Sequence, residues 1–153
     1  MDAGRTELWS TISKSFGRSS YRLGGPDRYA TAAAVSGAFA PGVPVVYIAT
    51  GSNFPDALAA GPAAVQQKGP ILLAQRTRLP DSTVAALQRL QPKRIVVLGS
   101  AGVVSEDVRT ALESYTSGEV RRIAGPDRYA TAVEISEAHF PTAPVVYLAT
   151  GEN

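Results

Sequence analysis

Apolar positions along the chain switch repeatedly between a helical spacing and short unbroken runs. From about Arg28 to Phe39, Tyr29, Ala32, Ala33 and Ser36 recur at helical spacing behind Asp27, whose carboxylate is placed to cap the first free amides. Pro41 then ends the segment. Val45 to Ala49 is a continuous run rich in β-branched and aromatic residues, bounded by Pro44 and Gly51, and it predicts a strand buried on both faces. The alternation continues with an Ala-rich helix over Asp56 to Gln67, a strand over Ile71 to Ala74 and a helix over Asp81 to Leu90. A strand over Arg94 to Leu98 and a helix over Ser105 to Tyr115 follow, the latter opened by a capping hydroxyl and the carboxylates of Glu106 and Asp107, which oppose the helix dipole. Apolar strands alternating with helices predict an α/β fold, an open, mostly parallel sheet with helices on both faces.

Shifted by 100 residues, the chain matches itself. Arg22-Leu23-Gly24-Gly25-Pro26-Asp27-Arg28-Tyr29-Ala30-Thr31-Ala32 returns as Arg122-Ile123-Ala124-Gly125-Pro126-Asp127-Arg128-Tyr129-Ala130-Thr131-Ala132, and Pro44 to Gly51 returns as Pro144 to Gly151. About 20 of 32 positions from Arg22 to Asn53 are identical without a gap, the signature of repeated modules. The reading divides the chain into a non-module segment 1–20, a complete repeat 21–120 and a second repeat, 121–153, that holds only the opening third of a module. The second copy is expected to repeat the helix and, over Val145 to Ala149, the strand. With no complete module to join, the tail from Val120 is expected to pack loosely on the first module or to pair with another chain through a strand edge.

Composition narrows the partners. Fifteen Lys and Arg against 13 Asp and Glu give a net charge of +2, too small for the sequence-independent phosphate attraction of nucleic-acid binders. With no cysteine, neither a disulfide framework nor a thiolate metal site is possible. The first twenty residues carry no continuous apolar run, which argues against a signal peptide or a membrane span there.

Catalytic patterns are missing. Gly24-Gly25-Pro26 lacks the spacing of a dinucleotide fingerprint, and no Walker-type Lys follows a glycine run. Ser52 follows a strand but has no nucleophile elbow around it, and Glu152 replaces it in the second copy. His139 has Phe39 as its counterpart and reads as a partly buried packing position; no histidine pair stands at metal-ligand spacing.

The string Gly-x-Asp-Arg-Tyr-x-Thr-Ala, followed by Phe54-Pro55-Asp56-Ala57-Leu58-Ala59, Pro70-Ile71-Leu72-Leu73 and Val96-Val97-Leu98-Gly99 with Val104-Ser105, resembles the cell wall-binding repeat type 2 family from about Tyr21 to Arg122, where it restarts. The resemblance implies a Rossmann-like or Toprim-like α/β module, usually in three tandem copies packed as a pseudo-trimer. It further implies a non-catalytic role, with no cofactor, in anchoring secreted surface proteins to anionic, teichoic-acid-like polymer of the Gram-positive cell wall, without nucleic-acid or membrane partners. The alternative is the targeting arm of a peptidoglycan amidase whose catalytic domain lies outside this sequence.

Candidate ligand contacts follow, each beside a plain structural use. Arg28 and Arg128 lie in first helical turns, unfavourable for a cation, and need either a carboxylate such as Asp56 or a ligand phosphate; Arg28 is the first choice as a ligand contact. Asn53 and Asp56, between a strand end and a helix start, could cap amides or help hold an anion. Arg76, with Arg78, follows a strand on the edge where open sheets bind ligands. By resemblance, Ile71, Leu72 and Leu73 face the pseudo-trimer centre and help form the polymer groove; as residues they are a buried strand. Tyr29 and Tyr129 are expected in the core.

Overall fold

The computed structural model describes residues 22–151; the segment 1–20 of the sequence reading lies outside them. Four strands form one parallel sheet in the order β2-β1-β3-β4: β1 Val46–Thr50, β2 Ile71–Ala74, β3 Ile95–Leu98 and β4 Val120–Ile123. In register, Tyr47 lies beside Ile71 and Val96, and Leu98 beside Ile123. β1 and β3 are buried along their whole length, as their unbroken apolar runs require.

Helices cover both faces. Val46, Ile48, Leu72, Ile95 and Val97 point to one face, against Leu87 and Leu90 of α4 (Asp81–Leu90) and Val108 and Leu112 of α5 (Glu106–Leu112). Ala33 of α1 (Arg28–Val35) packs there too. On the opposite face Val45, Tyr47, Ala49, Val96 and Leu98 meet Ala60, Ala63 and Ala64, from the junction of α2 (Pro55–Ala59) with α3 (Gly61–Gln66) and from α3 itself, and Ile135 of α6 (Arg128–His139). The fold class is therefore α/β, a parallel sheet between two helical layers.

Helix ends follow local chemistry. Asp27 and Asp127 cap α1 and α6 by accepting from the amides of Ala30 and Ala130 at 2.7 and 2.8 Å. Ser105 caps α5 through the amide of Val108 at 3.3 Å. Over Asp56 to Gln67 the expected single helix is two, because Pro62 can donate no hydrogen bond and its ring displaces the carbonyl one turn back. The expected helix to Phe39 stops at Val35 and tightens into a 3-10 turn over Ser36–Ala38. There the Ser36 hydroxyl donates to the Ala33 carbonyl at 2.7 Å, and Gly37 offers little helix propensity. Glu137 stands in place of Gly37 in the second copy, and α6 runs on to His139.

The tail corrects three expectations. It is not loosely attached: β4 completes the sheet beside β3, and α6 buries Thr131 and Ile135 in the first module, at 3% and 1% exposure. Tyr47 Oη and His139 Nε2 lie 2.8 Å apart, fastening the end of α6 to β1 and making His139 the packing position expected of it. Val145 to Ala149, by contrast, forms no strand and is exposed, although its sequence copies β1. A strand buried on both faces needs neighbours on either side, and this segment has none among the described residues. Neither tyrosine expected in the core is buried there: Tyr29 is half-buried against Gly51 and Tyr129 is 53% exposed against Gly151.

Candidate functional site

β1 is followed by a crossover to β2 on one side, and the chain then returns to β3 on the other. This makes the gap between the carboxyl ends of β1 and β3 the switch point of the sheet, where α/β sheets leave a crevice for ligands. A cavity of ≈ 190 Å³ lies there. One wall comes from Thr50 at the end of β1 with Asn53 and Asp56 beyond it, and another from Gly99, Ser100 and Val103 after β3. The third comes from the second copy: Gly125, Pro126, Asp127, Arg128 and Thr131 at the start of α6.

The second-copy wall is held by its own hydrogen bonds. The Gly125 amide donates to Thr131 Oγ1 at 3.0 Å, and that hydroxyl donates to the Asp127 carbonyl at 2.9 Å. No side chain fits at Gly125, because a Cβ there would overlap Ala130. Arg128 donates through Nη1 to the Gly151 carbonyl at 2.9 Å.

Asp56 is the half-buried carboxylate of the cavity. Desolvation raises its pKa above the ordinary carboxylate value, and the Arg128 guanidinium pulls it back toward ionisation. The side chain rests over Gly99, where a Cβ would stand 2.5 Å from Asp56 Oδ2 and where the backbone has φ +86. That combination requires glycine. Beside the cavity, Arg122 of β4 donates to the Gly99 carbonyl at 2.7 Å and to Glu106 Oε2 at 3.0 Å, tying the β3 loop to α5. Hydrogen bonds from Arg109 and Arg122 hold the Glu106 carboxyl below its ordinary range.

Of the residues singled out by sequence, Asn53 and Asp56 share the cavity. Arg28 is not among its lining and is exposed; its guanidinium donates to the Gly51 carbonyl, so the expected pairing with Asp56 is not formed. Arg128, its counterpart, faces Asp56 instead, because α6 packs on the module that precedes it. Arg76 is exposed beyond the end of β2, on the same edge of the sheet but outside the cavity lining. Ile71 and Leu73 are half-buried on the edge strand, while Leu72 is wholly buried in the core. Sequence reasoning named Arg128 beside Arg28 but ranked it second, and it missed Ser100; the duplication of the Gly-Pro-Asp-Arg string was the signal for Arg128.

Among the described residues no group of His, Cys, Asp and Glu could hold a metal ion, and no helix is long and apolar enough to cross a membrane.

Comparison with known proteins agrees with this architecture. The family described as Cell wall binding domain 2 (CWB2) matches residues 22–109. The N-acetylmuramoyl-L-alanine amidase LytC of Bacillus subtilis is 32% identical over 127 residues, 83% of this chain and 25% of that protein. The amidase enhancer of the same organism is 32% identical over 116 residues, 76% of this chain and 16% of that protein. Among solved structures, Cwp8 from Clostridium difficile superposes with a TM-score of 0.73 at 26% identity, over 87% of this chain and 24% of that one. Cwp6 from the same organism gives 0.69 at 29% identity, over 80% of this chain and 21% of that one. The chain thus spans a quarter or less of the length of these relatives. With its motifs, its parallel sheet and the matched span in agreement, the chain belongs to the cell wall binding domain 2 family.

Proposed function

We infer that this chain is a non-catalytic module that holds a secreted surface protein on the anionic polymer of a Gram-positive cell wall, outside the cell. The observation that carries the reading is the cavity at the sheet switch point, built jointly by one repeat and the start of the next, in a chain of a wall-binding family. Asn53 and Asp56, with Arg128 in the place first given to Arg28, are the proposed ligand contacts. Arg76 and Arg78, exposed on the same edge of the sheet, are the proposed cations for the anionic groups of the polymer. Phe54, which precedes α2, and Leu58 of α2, with Tyr129 and Val133 of α6, are large apolar side chains left exposed; together with half-buried Ile71 and Leu73 they are the proposed packing surface for neighbouring repeats of a pseudo-trimer. Tandem copies on a repetitive polymer raise effective concentration, so weak single sites suffice.

A second reading makes the chain the targeting arm of an amidase, favoured by its 32% identity to LytC over 83% of its length. Both readings require wall binding. Sedimentation of the purified chain with Gram-positive wall, native or stripped of anionic polymer, tests it: the chain pellets with native wall only. Equal retention on stripped wall would refute the polymer as the partner, and absence from both pellets would refute wall binding by this chain.

A further inference from the structure

One motif occupies two environments in this molecule. Gly25-Pro26-Asp27-Arg28 and Gly125-Pro126-Asp127-Arg128 are identical in sequence, in capping geometry and in the Arg-to-glycine-carbonyl bond. Yet Arg28 is exposed, while Arg128 is half-buried and walls the cavity of the module that precedes it. Within its own copy the motif caps a helix and, through its Arg, holds a glycine carbonyl, at the end of β1 in the first copy; in the second copy Arg128 also faces the cavity of the first.

The free groups around that cavity are specific in kind. The Asn53 carbonyl oxygen already accepts from the Phe54 amide at 3.0 Å, which leaves its amide hydrogens to donate. Arg128 has Nη1 committed to Gly151 and keeps its other N–H groups. Asp127 is committed as a cap through Oδ1. Asp56 can only accept, and Ser100 can do both. A donor pair, an acceptor-only carboxylate and a hydroxyl around one small space match vicinal hydroxyl groups, each of which donates and accepts. They do not match the phosphodiester of a polymer, which has no proton to offer Asp56 and whose negative charge it repels. The volume of ≈ 190 Å³ equals the liquid share of about six waters, room for one sugar ring and far below the usual size of a nucleotide pocket.

We propose that the cavity between β1, β3 and the start of α6 is a subsite for one uncharged, hydroxyl-rich sugar unit, completed only when the Gly-Pro-Asp-Arg motif of the following repeat closes it. The proposal rests on the wall-binding reading and adds to it the chemistry of the contact. The sugar is held at the repeat junction by Asn53, Asp56, Ser100 and Arg128, while charged groups of a polymer lie outside the cavity. Each junction between repeats then carries one such subsite.

Two-dimensional amide spectra of the full 153-residue chain test this, titrated at millimolar concentrations with glucose, galactose, N-acetylglucosamine and N-acetylmannosamine, and separately with inorganic phosphate and glycerol 3-phosphate. The expected result is saturable shifts at the amides of Asn53, Asp56, Ser100 and Arg128 with at least one sugar and none with phosphate. Binding weakens about tenfold or more in Asp56→Asn and in Arg128→Ala, and is unchanged in Arg28→Ala. Asp56→Asn keeps the shape of the side chain, so a loss there is not a loss of fold, and the dispersion of the spectra verifies each variant. No sugar shift at these amides, sugar shifts that survive both substitutions, or saturable phosphate shifts at these amides in the parent chain would each overturn the proposal. Wall sedimentation, run in parallel, separates the two readings: retention on native wall without sugar shifts removes the subsite alone, and absence of both removes the wall-binding reading as well.

Discussion

Asp56 concentrates the chemistry of the cavity in one carboxyl group. Its folded pKa is raised, first by desolvation, with Arg128 acting in the opposite sense. A carboxyl raised on folding contributes stability that is fully present below its unfolded pKa, near 4, and is lost as pH rises through its folded value. At neutral pH ionised Asp56 therefore opposes folding, and Asp56→Asn removes the opposition. Thermal melts should show the variant more stable than the parent at pH 7, with the advantage closing as pH falls below the unfolded carboxylate range; an advantage that widens in acid would contradict the assignment. Glu106 has the opposite sign, since Arg109 and Arg122 lower its pKa, and its contribution is lost as pH falls. The same substitution thus tests two things in opposite directions: stability rises while sugar binding falls.

At the scale of elements, α6 has the largest consequences. It begins a second sequence repeat yet is packed on the first, with Ile135 fully buried between it and the sheet. Ile135→Ala should cost about 2–4 kcal/mol in urea unfolding, the range for truncating a buried aliphatic side chain. A loss near zero would mean that α6 is not part of the cooperative unit. Helix α1 offers the converse test. Gly37 has open space where a Cβ would stand and no positive φ, so Gly37→Ala should stabilise by about 0.5–1 kcal/mol and add helical signal in circular dichroism, extending α1 toward the length of α6. A destabilised variant would show that the break after Val35 has a cause other than Gly37 and Ser36. Strands β1, β2 and β3 were readable because uninterrupted apolar runs have few other uses. β4 was not, because Val120-Arg121-Arg122-Ile123 is half polar and becomes a strand only by completing the edge beside β3. Val145 to Ala149 erred the other way: the composition of a strand is present, but its pairing partners are not among the described residues.

For the whole molecule, the sequence repeat and the folded unit are out of step. The repeat restarts at Arg122, while the sheet and its helical layers continue through β4 and α6. That offset explains how much of the site could be read in advance. Asn53 and Asp56 were recognisable from their place between a strand end and a helix start, a local property. Arg128 could not be ranked above Arg28, because its role depends on which module α6 packs against, and two identical motifs give no sign that one is exposed and the other encloses a cavity. The offset also means that the second copy supplies one wall of a cavity in the first.

Wall binding through the junction cavity is tested most directly by the retention of the chain on native Gram-positive wall beside Arg128→Ala and Arg28→Ala, with melting curves confirming that both variants are folded. The account predicts that Arg128→Ala falls to the level seen on polymer-stripped wall while Arg28→Ala is retained like the parent. Equal retention of all three, or an equal loss in both variants, would contradict it.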